Sequence, residues 1–190
     1  MEFYKITNKN EIHYEMEYKT GLNVDIKPFN PFGNCETGGI YFSRKDILAF
    51  LEYGCWIRKV TLPKDEEIYE NPGKIKKWKA HRVILGKRKK IDLEVIKKLV
   101  KEGADIHSNN DRALRWASSE GHFGVVKFLI EKGADIHADS DRALKWASSE
   151  GHLGIVRLLI EKGADIHSNN DYALIWASSK GHLGTVKFLR

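Results

Sequence analysis

Six of the eight histidines recur at a fixed interval: His107, His137 and His167, then His122, His152 and His182. Imidazole is the commonest metal-binding side chain, so such a ladder is first a candidate metal site. Its period of 30 residues argues otherwise. Equivalent positions in stacked units fall on the order of 10 Å apart, the spacing of packed helices. A shared zinc would hold each nitrogen at about 2.0–2.1 Å. The spacing suits hydrogen bonding at turns and helix starts, and predicts neither a metal nor any other cofactor. Cys35 and Cys55 form no C-x-x-C pair and carry no flanking motif of a catalytic thiolate. Cys55, beside Trp56, reads as a small core residue. No G-x-x-x-x-G-K-[ST] loop is present to cradle phosphates.

A second chemical feature is cationic. Lys74, Lys76, Lys77, Lys79, Arg82, Lys87, Arg88, Lys89 and Lys90 fall within residues 74–90 with no acid among them, and Trp78 lies between them. Cations release counterions from phosphate and aromatic rings stack on bases, so the segment could associate with nucleic acid or act as a nuclear address. The competing reading is a solvated strand and linker, because Val83, Ile84 and Leu85 are too apolar for a free tail. The chain's formal net charge of +6 belongs wholly to residues 1–90, with 18 basic and 12 acidic side chains. Residues 91–190 balance at 14 of each.

These groups must be positioned by 190 residues, 42% hydrophobic and 31% charged. That composition excludes a disordered chain. No run of 18 apolar residues exists to span a membrane. The opening MEFYKITNKNEIHYE lacks an apolar signal core. With two cysteines outside any disulfide framework, an intracellular location follows as the expectation.

The second half repeats. ADIHSNNDRALRWASSEGHFGVVKFLIEKG from Ala104 is followed by ADIHADSDRALKWASSEGHLGIVRLLIEKG from Ala134, identical at 22 of 30 positions, and by a third copy from Ala164 to Arg190. A half-unit, IDLEVIKKLVKEG, precedes them at 91–103. Fixed self-similarity at this period means a stacked array whose units bury apolar faces against their neighbours. The expected organisation is an α+β domain over 1–90 and an all-α helical solenoid over 91–190, with units 104–133, 134–163 and 164–190.

Each unit reads as two short helices. The first opens at Asp111, Asp141 or Asp171, since Asp is a good N-cap. Leu114, Trp116 and Ala117 are its expected buried side, with Trp116, Trp146 and Trp176 as a core stack. Gly121, Gly151 and Gly181 stop it at positive φ. Val125, Val126, Leu129 and Ile130 form the apolar stripe of the second helix. Phe123, Leu153 and Leu183, and Phe128, Leu158 and Phe188, vary conservatively, as core positions do. In the last copy Thr185 and Arg190 replace apolar residues and could soften its outer face into a minimal cap. Arg190 falls inside the second helix, so either that helix is frayed or the chain is a shortened member or fragment of a longer protein.

Gly121-His122, Val125-Val126, Leu129-Ile130 and Gly133-Ala134-Asp135-Ile136, with their equivalents, resemble the ankyrin repeat. Two departures stand out. Where that family opens its unit with T-P-L-H, this chain has Arg112-Ala113-Leu114-Arg115, Arg142-Ala143-Leu144-Lys145 and Tyr172-Ala173-Leu174-Ile175, so the Asp caps are expected to replace the family's Thr–His bonding. The unit is also about three residues short of the usual 33, which predicts stubby turns instead of β-hairpin fingers. The D-x-A-L-x-W-A variant looks like the ankyrin proteins of giant amoebal viruses. The resemblance implies binding to a protein partner through the turns and the first helices. The positions there that differ between copies are Asn109, Asn110, Arg112, Arg115 and Glu120; Asp139, Ser140, Arg142, Lys145 and Glu150; and Tyr172, Ile175 and Lys180. These are the expected partner-binding residues, set against free drift of polar surface positions.

Residues 1–90 do not repeat. Apolar, aromatic and β-branched runs predict strands at 3–6, 22–26, 39–42, 56–62 and 83–85. Ser43 and Asp46 read as an S-x-x-D capping signal for a helix ending near Gly54. Pro28, Pro31, Gly33 and Gly38 predict a long loop before the third strand. Gly38-Gly39-Ile40-Tyr41-Phe42-Ser43 is similar to the G-x-Y-F-[AS] strand of ADP-ribosyltransferase-like folds. That likeness implies nucleotide-binding roles for Tyr41 and for Lys5, which stands where that family has His or Arg. Glu66, Glu67 and His81 are candidates for its remaining catalytic position. The run from Tyr4-Lys5-Ile6-Thr7 through Gly38–Phe42 to Gly54-Cys55-Trp56-Ile57-Arg58 also looks like the leader domain that precedes the repeats in the viral proteins.

The leading expectation is therefore a protein–protein adaptor, viral and acting on a host or viral protein, without catalysis and without membrane insertion. It would work in host cytoplasm or nucleus. The alternatives are an ADP-ribosyltransferase-like domain targeted by the repeats, and nucleic-acid association through 74–90.

Overall fold

The computed structural model describes residues 2–31 and 38–190. Gly33 and Cys35 lie outside the described residues. The chain forms two compact units, Met1–Asp105 and Ile106–Arg190. The half-unit at 91–103 thus clusters with the first.

The first unit is built on an antiparallel sheet in the order β1 (Phe3–Thr7), β6 (Trp56–Thr61), β9 (Arg82–Leu85), β4 (Gly21–Val24), with β10 (Lys89–Lys90) also pairing β6. The β1–β6 register runs from Phe3 opposite Val60 to Thr7 opposite Trp56. A three-stranded sheet, β5 (Ile40–Phe42), β8 (Lys77–Ala80), β7 (Tyr69–Asn71), joins β1 through reciprocal Tyr4 and Ser43 backbone bonds of 2.8 Å. A two-stranded hairpin, β2 (Ile12–His13) with β3 (Met16–Glu17), lies between β1 and β4. Met16, Tyr18, Ile40, Phe42, Val60, Ala80, Val83 and Leu85 form the core, flanked by Phe3, Leu62 and Trp78.

All five predicted strands are present, and the fourth strand of the chain shows why one ends early. β4 stops at Val24 because Asp25 turns the chain: its carboxylate accepts the Lys27 N–H at 2.9 Å, an Asx turn. The S-x-x-D signal is not a cap. The helix there is a 3₁₀ helix, Lys45–Tyr53, with no side-chain cap. Ser43 Oγ donates to the Lys76 carbonyl at 2.7 Å, and Asp46 accepts the Lys76 N–H, so both fasten the helix start to the residue before β8. Cys55 is half-buried, not a core residue.

Residues 74–90 supply β8, β9 and β10. Trp78 packs edge-on against Phe3 at 5.3 Å. Lys76 pairs with Glu70, Arg82 with Glu66 at 2.7 Å, and Arg88 with Glu11 at 3.2 Å. Lys79 is buried, its stem running beside Gly39. Helix α1 (Leu93–Lys101) closes the unit. Asp92 caps it in extended conformation, accepting the Val95 N–H at 2.9 Å, and the Tyr4 hydroxyl donates to Glu102 at 2.8 Å.

The second unit is three helix pairs: α2 (Ser108–Ser119) with α3 (Phe123–Glu131), α4 (Ala138–Ser149) with α5 (Leu153–Glu161), and α6 (Ser168–Ser179) with α7 (Leu183–Leu189). Ala113, Leu114, Ala117, Val125, Val126 and Leu129 are buried, as are their counterparts in the next pair. The connections carry no strand among the described residues, so the predicted stubby turns are found.

Three expectations change here. Asp111 is not an N-cap: Asn109, Asn110 and Asp111 all have positive φ (56, 55 and 52°), and regular helix begins after them. Its buried carboxylate instead takes the Asp135 N–H of the following unit at 3.0 Å and His107 Nδ1 at 3.1 Å. Asp141 does the same with Asp165 and His137, both at 3.0 Å. Second, the tryptophans are not a core stack: Trp146 and Trp176 are each 44% exposed. The buried side of the helix is taken by Ala113, Leu114 and Ala117, which leaves the positions beside Arg112 outward. Third, Phe123 and Leu183 are exposed, whereas Thr185 is buried and caps nothing.

Candidate functional site

The left-handed turn at 109–111 repeats at Asp139, Ser140 and Asp141 and at Asn169, Asn170 and Asp171. Asn and Asp tolerate this region best among residues with side chains, because they bond locally. The Asp111 and Asp141 staples hold the turns of the first two units against the next unit. Burial raises the Asp111 carboxyl above its ordinary pKa, against the lowering effect of the Asp135 N–H and His107.

From each turn the first helix rises with Ala113, Leu114 and Ala117 inward, so positions 112, 115 and 116 share the open side. Three rows result. Arg112, Arg142 and Tyr172 form one, Arg115, Lys145 and Ile175 the second, and Trp116, Trp146 and Trp176 the third. Arg115 reaches forward to Asp139 of the following unit at 2.6 Å and back to the Asn109 carbonyl at 2.7 Å. Arg142 meets the same Asp139 oxygen at 2.8 Å. Lys145 lies over the Tyr172 ring, 4.8 Å from its centroid. Burial lowers the pKa of these cations; repulsion adds to it for Arg112, from Arg115 and Arg142, and for Lys145, from Arg142, while at Arg115 the pull of Asp139 works against burial and exceeds the repulsion of Arg142.

Glu120 is exposed beyond this face, and Glu150 bonds Lys180 of the next unit at 2.7 Å. Asn110, Asp139 and Ser140 are exposed at the turn tips, while Asn109 is half-buried. Of the expected binding residues, Arg112, Arg115, Asp139, Arg142, Lys145, Tyr172 and Ile175 thus converge. The tryptophan row, four residues on from position 112 and expected in the core, lies on the same face.

The histidines act within the stack. His152 Nε2 donates to the Ser119 carbonyl of the previous unit and His182 Nε2 to that of Ser149, both at 2.9 Å. Among the described residues no cluster of His, Cys, Asp or Glu could hold a metal ion.

In the first unit Lys5 and Tyr41 come together: Lys5 Nζ donates to the Tyr41 carbonyl at 3.1 Å. Glu66, Glu67 and His81 are not among the residues lining the cleft at that pair. The Glu66 carboxylate receives the His81 and Arg82 N–H groups and the Arg82 guanidinium, which hold its pKa down against burial.

Paired short helices joined by tight turns and stacked at a fixed period are the architecture seen here. The sequence model described as ankyrin repeats (3 copies) matches residues 87–170 and again 137–190. The chain belongs to the ankyrin-repeat family. It is also similar to proteins of Acanthamoeba polyphaga mimivirus. The ankyrin repeat protein R229 is 43% identical over 138 residues, covering 65% of this chain and 45% of that protein. Protein R869 is 36% identical over 128 residues, covering 65% of this chain and 93% of its own length. The ankyrin repeat protein R868 is 36% identical over 127 residues, covering 63% and 61%. The chain thus spans about half the length of R229. No helix among the described residues is long and apolar enough to cross a membrane.

Proposed function

We propose that this ankyrin-repeat protein is an adaptor that binds an acidic protein segment along its first helices. The observation that carries the reading is the crowding of Arg112, Arg115, Arg142 and Lys145 on one face, where Asp139 pairs with Arg115 and Arg142 and attracts Lys145, beside half-exposed tryptophans. Cations held close at a half-buried surface repel one another, and an anionic partner relieves that repulsion. In the third unit the same rows become Tyr172 and Ile175, beside Trp176, all exposed. The face therefore has a direction, acidic residues over the first two units and an apolar anchor over the third. Aromatic and arginine side chains are the usual anchors of protein interfaces. The likeness to mimivirus proteins supports a viral adaptor working inside an infected cell on a host or a viral protein.

Selection of a random peptide library on the full chain tests this. Enriched peptides should carry several Asp or Glu followed by an apolar residue, and should lose binding when Arg115, Lys145 and Tyr172 are changed together to Ala. Peptides without acidic enrichment, or binding that survives the triple change, would overturn the assignment.

A further inference from the structure

The first unit contains a cleft of about 160 Å³ between β1, β5, the 3₁₀ helix and the β2–β3 hairpin. Tyr18, Tyr41, Phe50 and Tyr53 are among its aromatic walls, and Lys5 and Lys77 bring the cations. Lys5 is unusual. Its side chain is buried, at 7% exposure, yet no carboxylate pairs with it among the described residues. Its ammonium has one hydrogen bond, to the Tyr41 carbonyl at 3.1 Å, and one ring, Tyr18, 4.3 Å away. An ammonium has three donors, and a buried charge is costly unless it is paired. An anionic oxygen in the cleft would give this ammonium the charge partner that no carboxylate among the described residues supplies.

Lys77, also on the lining, lies 4.4 Å from the centroid of the Tyr41 ring. His13 lines the same cleft, and partial burial together with the Lys5 ammonium lowers its pKa, so the positive charge of the cleft comes from the lysines. A cavity near this size accepts about one benzene-sized ring, and aromatic walls favour a planar one.

We propose that this cleft binds a small planar organic anion, a single ring bearing a carboxylate or phosphate, with the acid group on Lys5 Nζ and the ring against the tyrosines. The site is independent of the repeat surface, so either can fail without the other.

Calorimetric titration of the full chain with benzoate, phenyl phosphate, benzyl alcohol and benzylamine tests it. At least one of the two anions should bind about tenfold or more tightly than benzyl alcohol, as a charge-assisted bond implies, and benzylamine should not saturate. The better anion shows whether the natural head group is a carboxylate or a phosphate. Lys5→Met, near-isosteric, should bring the anions down to the affinity of benzyl alcohol. Tyr53→Ala, at an exposed position on the rim, should weaken all ring ligands and keeps the test open if the Lys5 variant does not fold. Equal binding of alcohol and anions by the unaltered chain, or anion affinity unchanged in Lys5→Met, would overturn the proposal.

Discussion

The imidazole of His152 lies over Gly121 of the preceding unit, so that a Cβ added at Gly121 would stand 2.6 Å from the ring. The same ring donates to the Ser119 carbonyl at 2.9 Å, and His182 repeats the arrangement over Gly151. The glycine ends one helix at φ +75° and leaves room for the next unit's staple. Gly121→Ala should therefore cost about 1–2 kcal/mol for the left-handed backbone, plus roughly 0.5–1.5 kcal/mol for the displaced histidine bond. Urea unfolding of a double-mutant cycle with His152→Ala separates the two. A coupling near zero would remove the staple from the account.

The second staple is the turn carboxylate. Asp141→Ala leaves the Asp165 N–H without its acceptor and releases His137. A loss of about 1–3 kcal/mol is expected for a donor left unsatisfied. Asp141→Asn keeps an acceptor oxygen and the tolerance for positive φ, and should recover more than half of it. Equal losses in the two variants would show that the charge, not the hydrogen bond, is what matters.

How far the sequence led depends on the range of each interaction. The helix pairs and the Leu114, Val126 and Leu129 core were legible because helical periodicity and the 30-residue repeat are local signals. Asp111 misled because an Asp ahead of an apolar run reads as a cap, while its partner, the Asp135 N–H, is 24 residues away. Asp92, with an extended backbone, is a true cap. The strands β7 and β8 went unread because Tyr69–Asn71 and Lys77–Ala80 lack apolar alternation, their pairing being set by neighbours far along the chain. Of the cleft, Lys5 and Tyr41 were singled out through resemblance, but Tyr18, Phe50, Tyr53 and Lys77 meet them only through the sheets.

Within the first unit, Arg58 and Glu11 form a buried bidentate pair at 2.7 and 2.8 Å, aided by Thr7 at 3.0 Å. Arg58→Met leaves the buried Glu11 carboxylate with only the longer Arg88 contact at 3.2 Å and the Thr7 hydroxyl, and should cost about 3 kcal/mol. The hydrogen bonds from Arg58 chiefly hold Glu11 below its ordinary 4.5. Its contribution is therefore complete above that value and is lost as pH falls through the depressed one. In the variant, burial with only the longer Arg88 contact holds the carboxylate less firmly ionised, and the protonated acid forms more readily on acidification. The stability gap between the two proteins, followed by urea midpoints, should narrow from pH 7 to pH 4. A constant gap would show that packing of the guanidinium, and not its pairing with Glu11, is the source of the loss.

The last prediction separates folding from binding on the repeat surface. Leu144 is buried and Trp146, two residues on, is 44% exposed. Leu144→Ala should cost about 2–5 kcal/mol, since it opens a cavity in the stack. Trp146→Ala removes a larger side chain from a half-open face, and its stability cost should be well below that. If the tryptophan row is a contact surface for an acidic segment, Trp146→Ala should nonetheless weaken selected acidic peptides by tenfold or more, about 1.4 kcal/mol, as interface anchors do. Thermal unfolding and peptide titration on the same two variants give the comparison. A Trp146→Ala protein that loses stability like Leu144→Ala, or keeps full peptide affinity, would return the tryptophans to a purely structural role.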